Sequence, residues 1–189
     1  MKFTREQLDR YRNAMVDDLI DGRPKLVFVG INPGLWTAAT NTHFAHPSNR
    51  FYPALHLAGI TSAVFDHVGG LTANERVELT AKGIAITNIV PYATARASEL
   101  TRAQLQQGAI DLTARLQRWR PIVVAVAGVT AFRTAFRRPR AALGRQAQLL
   151  AGATLWVVPN PSGLNAHETV ASLAEWYRRV AREAGVQVQ

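Results

Sequence analysis

Four short, almost unbroken apolar runs recur along this chain, and each stops at turn-forming residues. Residues 25–31 (KLVFVGI) precede Asn32-Pro33-Gly34, and residues 83–89 (GIAITNI) precede Val90-Pro91. Residues 121–127 (PIVVAVA) precede Gly128, and residues 154–158 (TLWVV) precede Pro159-Asn160-Pro161-Ser162-Gly163. Runs this short without polar alternation are the mark of strands buried on both faces. Helical periodicity fills the intervals at about 49–58, 73–81, 102–118, 130–136 and 166–183. A further amphipathic stretch at 4–20 has Thr4 as its N-cap and places Asp17 and Asp18 on a solvated helix face. Parallel strands need crossover connections, so alternating strands and helices predict a sheet covered on both sides. The expected fold is one α/β domain over residues 1–189, in three α/β/α layers around a mainly parallel four- to five-stranded sheet.

Composition removes several function classes. With no cysteine, disulfides, cysteine-held zinc and cysteine-held iron–sulfur clusters are excluded. No apolar run approaches the ~20 residues that span a bilayer, so no membrane partner is expected. The opening MKFTREQLDR is charged and lacks an apolar signal core, which sets the expectation of a cytoplasmic protein. Neither GxxxxGK[ST] nor a GxGxxG after a strand is present, so no nucleotide cofactor is expected. The net charge is +9 and uneven: residues 1–95 hold nine Lys/Arg against eight Asp/Glu, residues 96–189 thirteen against five. Such an excess, concentrated between Arg102 and Arg145, fits a polyanionic partner held by phosphate neutralisation, or else an arginine-rich solubilising surface.

In parallel α/β sheets, ligands bind beyond the carboxyl ends of the strands, where this chain carries Asn32, Asn88 and Asn160. Asn32 projects from a sharp turn and can hold a water or read a base edge, or merely close an Asx-turn. The loop from Pro159 to Asn165 is stiffened by two prolines and carries Leu164, either an exposed wedge or a staple for the last helix. Weaker candidates are a His43/His46 metal pair lacking a third ligand, a Ser162–His167 nucleophile pair lacking an orienting acid, and Lys82 as a Schiff-base amine. No metal site is expected.

The linked motifs Gly30-Ile31-Asn32-Pro33-Gly34-Leu35, Phe44-Ala45-His46-Pro47, Asn49-Arg50-Phe51 and Asn160-Pro161-Ser162-Gly163-Leu164 closely resemble the mismatch-specific uracil-DNA and thymine-DNA glycosylase family, within the uracil-DNA glycosylase superfamily. The resemblance runs from about residue 25 to 177. It implies that Asn32 positions the hydrolytic water, and that Asn160 takes the place of a catalytic histidine in other branches. It also implies that Phe44 stacks on the flipped base, that the backbone near Ile31 reads its edge, and that Asn88 lines the base site as in the thymine-DNA enzymes. Gly163, Leu164 and Asn165 match the loop that fills the vacated stack. Two positions depart from the pattern: Trp36 and Thr37 stand at the pocket wall where small residues are usual, and Asn165-Ala166-His167 replace an arginine often found after the wedge.

The implied activity is that of a cofactor-free, monofunctional DNA glycosylase. It would remove uracil, mismatched thymine or ethenocytosine from double-stranded DNA and initiate base excision repair. It would work as a monomer on the bacterial nucleoid. The competing readings are a non-catalytic DNA-damage-binding domain of the same fold and a nucleotide- or metal-dependent α/β enzyme.

Overall fold

The computed structural model describes residues 3–189. The apolar runs form β1 (Leu26–Gly30), β2 (Ile84–Asn88), β3 (Val123–Ala127) and β5 (Thr154–Val158), with a two-residue β4 (Gly144–Arg145) at one edge. Their order is β2-β1-β3-β5-β4, parallel except for β4. Alternate residues of each strand feed two separate cores. Leu26 and Phe28 join one core with Tyr52 and Leu55 of α3 (Phe51–Leu57), Leu79 of α4 (Ala73–Ala81) and Tyr177 of α7 (Val170–Glu183). Val27 and Val29 join the other with Leu112 and Leu116 of α5 (Arg102–Trp119) and Phe132 of α6 (Val129–Ala135). The result is the three-layer α/β/α architecture, with the strands buried on both faces as the unbroken apolar runs require.

The N-terminal segment corrects an expectation. A helix over residues 4–20 does not form: α1 covers only Arg5–Asp9, started by a Thr4/Gln7 capping box. Asn13 then turns the chain in a left-handed conformation (φ 62°), and residues 13–20 run as an extended strap. Leu19 and Ile86 exchange both backbone hydrogen bonds at 2.9 Å, and Val16 N–H donates to Pro91 O. β2 is an edge strand, and its outer row of N–H and C=O groups needs partners. Covering that edge outweighs the local helical pattern. Asp18 accordingly leaves solvent: both its carboxylate oxygens accept from Arg115 of α5, at 2.9 and 3.0 Å.

Two smaller differences lie near the strand ends. The stretch expected as one long loop from Asn32 to Pro47 contains a short helix, α2 (Leu35–Thr40). The last helix begins at Val170, because Thr169 and Ser172 make its capping box; residues 159–169 remain loop.

Candidate active site

β1 is the switch point of the sheet: the chain leaves it towards β2 on one side and later crosses to β3 on the other. At its end Gly30 pairs in register with Asn88, the last residue of β2. A Cβ on Gly30 would lie 2.3 Å from Asn88 Oδ1 and 3.2 Å from Phe44 Cζ. Glycine is therefore required for the Asn88 carbonyl oxygen and the Phe44 ring edge to converge on one point above the strand end. Phe44 holds a left-handed backbone (φ 57°), a cost of about 1–2 kcal/mol for a non-glycine residue. One ring face stacks on Phe51 at 4.2 Å, and Phe51 is itself locked among Phe28, Tyr52 and Tyr177. The ring is only half-buried, which leaves its other face for a planar guest.

Asn32 is half-buried in the loop after β1. Its carboxamide nitrogen donates to Thr94 Oγ1 at 2.8 Å and to Pro33 O at 3.0 Å. Thr94 spends its hydroxyl proton on Arg96 O, so its oxygen must accept from Asn32. That fixes the amide orientation and turns Oδ1 outward as an acceptor. The Asx-turn considered for Asn32 is made by Asn160 instead, whose Oδ1 accepts from Ser162 N–H at 3.1 Å. The Asn160 side chain, two residues beyond β5, lies close to Gly128, and its Nδ2 is the end not used by that turn. Ile31 itself ties the site to the next loop by accepting Val90 N–H at 3.0 Å.

Leu164 is 93% exposed, at the tip of the loop after β5, so it does not staple the last helix. Arg50 supports the tip from below. Its guanidinium donates to Ser162 O at 2.6 Å, to Asn165 O at 2.7 Å and to Glu168 O. Gly163 presses on the same segment: a Cβ there would lie 2.4 Å from Ser48 Oγ. The Asn165 side chain closes the loop by donating to Asn160 O at 3.0 Å. Thr37 is buried within α2, and Trp36 beside it is tethered by Nε1–H to Val68 O at 3.0 Å.

The weaker candidates find local partners. His43 is buried against Asn88 and Asp17 O, whereas His46 meets Ser48. Among the described residues no group of three or more His, Cys, Asp or Glu comes together. Lys82 is bound to Glu78 and Ile60 O, and Ser162 Oγ accepts from Leu164 N–H. No described helix is long and apolar enough to cross a membrane. The basic half of the sequence is divided in space. Arg96 and Arg102 follow the carboxyl end of β2, whereas Arg118 and Arg120 sit with Arg23 and Trp119 in an open groove at the opposite pole. Thr94 escaped the sequence reading, and Arg50 entered it only as part of the Asn49-Arg50-Phe51 motif without a role, because what they do runs through backbone carbonyls and a second side chain distant in sequence.

The comparisons bear on the family and the fold. The family model of the uracil DNA glycosylase superfamily matches residues 18–183. The chain is also similar to the solution NMR structure of a "putative Uracil DNA glycosylase" from Methanosarcina acetivorans, with a TM-score of 0.58 at 13% identity, covering 90% of this chain and 98% of that one. At that identity the likeness speaks for the fold, and the family match for descent. The chain belongs to the uracil DNA glycosylase superfamily, a group of hydrolases that cut bases from DNA.

Proposed function

We propose that this protein is a monofunctional glycosylase that flips uracil from duplex DNA and hydrolyses its N-glycosidic bond, with mismatched thymine and ethenocytosine as further substrates. The observation that carries the reading is the convergence of Asn88 Oδ1 and the Phe44 ring edge on Gly30, beside a Phe44 ring stacked on Phe51 and only half-buried. A flipped pyrimidine stacked on Phe44 would meet a hydrogen-bond acceptor at its edge. A base within a duplex is out of reach, and extrusion costs a few kcal/mol, least for a mispaired base.

Asn32 Oδ1 accepts one proton of a water and leaves its lone pair for C1′, a gain of position rather than of basicity. As the C1′–N1 bond breaks, electrons pass to the base. Asn160 Nδ2 donates towards the developing anion, an interaction stronger in the transition state than in the ground state. Water adds to C1′, and its proton leaves with the base or to solvent. Asp18, the carboxylate behind the site, is held by Arg115 and does not serve as a base. The reaction is therefore slow and favours bases that leave well. Leu164 enters the vacated stack, and Gly163 and Asn165 shape its loop. The protein acts as a monomer on DNA in the cytoplasm.

The test is base release from oligonucleotides with U, T, hypoxanthine or ethenocytosine opposite G and A, in double and single strands. Release of uracil from U·G with an intact abasic strand is expected. Tight binding of every substrate without product would replace this reading by that of a damage-binding domain.

A further inference from the structure

His43 is not used by the reaction as described, yet it is buried directly behind Asn88. Its Nε2 lies 2.9 Å from Asp17 O, and its Nδ1 lies 3.0 Å from Asn88 Nδ2. A backbone carbonyl only accepts, so Nε2 must carry a proton. A neutral imidazole then has a bare lone pair at Nδ1, which only a donor can satisfy. Asn88 must offer Nδ2 to His43 and turn Oδ1 towards Gly30. The amide orientation follows from the chemistry of its neighbour, not from the amide itself.

We infer that His43 is a specificity-positioning residue: held by the strap at Asp17, it locks Asn88 so that the site presents a carbonyl oxygen to the base and selects a ring N–H donor at position 3. This inference rests on the proposed excision of uracil and names what selects it. A base with a bare ring nitrogen there, as in cytosine, would set lone pair against lone pair; ethenocytosine, whose bridged N3 has neither proton nor lone pair, would forgo the bond without that clash and rank below uracil. The backbone of Asn88 is fixed from the other side, since Arg115 Nη2 donates to Asn88 O at 2.8 Å while gripping Asp18 of the same strap. Side chain and main chain of the reading residue are thus both held by residues 17 and 18. Burial lowers the His43 pKa from its ordinary 6.5; Arg76 and Arg115 act in the same direction, and the Asp17 carbonyl and Asp18 act against it. The ring stays neutral. Protonation would make Nδ1 a donor and reverse Asn88.

Two measurements test this. The first compares single-turnover release of 5-fluorouracil and 5-fluorocytosine from otherwise identical duplexes across variants, so that the intrinsic difference in leaving ability cancels from the change in ratio. The wild type should prefer 5-fluorouracil by at least about tenfold, since a site built to bond one edge rejects the other strongly. H43L, with no acceptor for Asn88, should lose most of that preference, while H43Q, which supplies both an N–H and a carbonyl, should retain it. Parallel losses on both bases in H43L, with the ratio kept, would overturn the proposal and leave His43 a packing residue. The second measurement needs no turnover. Nitrogen-15 NMR of His43 should show the Nε2–H tautomer persisting below pH 6.5; a Nδ1–H tautomer would overturn the proposal even if uracil excision is observed. Absence of any base release together with the Nε2–H tautomer would count against the glycosylase reading alone.

Discussion

In the proposed reaction Asn32 and Leu164 serve opposite ends of the same problem, one at the bond to be cut and the other at the hole left behind. Because its amide nitrogen is fully occupied by Thr94 and Pro33, Asn32 has one orientation, and Asn32→Ala removes the water's acceptor without disturbing the sheet. Base release should fall by about 10²–10⁴-fold, the range of a positioned proton acceptor, in a single-turnover assay. DNA affinity should barely change, because phosphate contacts supply most of it. Thr94→Val should produce part of the same loss while Thr94→Ser restores it. For Leu164, burial of the side chain in the stack is worth about 1.5–3 kcal/mol, comparable to the cost of extrusion. Leu164→Ala should therefore slow uracil release most from U·A, less from U·G and least from single strands. Equal losses on all three would remove the wedge role.

At the scale of elements, the loop after β5 and the segment before α3 act as one unit, because one guanidinium gathers three carbonyls spread from Ser162 to Glu168. Lysine carries a point charge and lacks the planar fork that reaches several acceptors at once. Arg50→Lys should reproduce the Leu164→Ala pattern, with losses graded by pairing strength, while Leu164 itself is intact; an ungraded loss would dissociate the clamp from the wedge. Much of this level was legible in the chain. All the strands but the two-residue β4 declared themselves as apolar runs stopping at turn-forming residues, and their alternation with helices set the layers. The strap did not, because the Thr4 cap and the helical spacing of residues 4–20 are local, whereas the edge of β2 that captures Leu19 lies more than sixty residues onward. His43 was legible only as half of an incomplete metal pair, since nothing in its surroundings along the chain shows Asn88 beside it. Asn32 and Asn88 were within reach because each stands at or just beyond a strand end, whereas Phe44, beyond α2, was reached only through the motif that carries the family resemblance.

Across the whole molecule, position along the sequence is a poor guide to which arginines share a face. Duplex binding should weaken with salt by about 0.9 in log K per log salt for each phosphate neutralised. Arg102→Gln, near the site, should reduce that slope by about one such unit. Arg118→Gln with Arg120→Gln, at the opposite pole, should leave it unchanged in a salt titration on a short duplex. Stability should also report the buried imidazole. Because the folded pKa of His43 is depressed below 6.5, the unfolded chain binds a proton that the folded one refuses. Its stabilising contribution is complete above about pH 6.5 and declines as the pH falls towards the folded value. H43Q should flatten that acid limb of the Tm profile.

The strap gives the molecule an order of assembly. Residues 13–20 leave the ribosome long before β2 exists, and Asp18 waits for Arg115, 97 residues further on, before its carboxylate is paired. Contacts of such long range form late, because chain entropy must be spent before they reward it. During synthesis residues 13–20 are therefore unpaired at first, and the Asn88 amide acquires its fixed orientation only once they close over a nearly finished sheet. On the proposed function, base recognition by Asn88 would thus be withheld from any form of the chain in which residues 13–20 are unpaired, whereas phosphate contacts by the arginines would not depend on that closure.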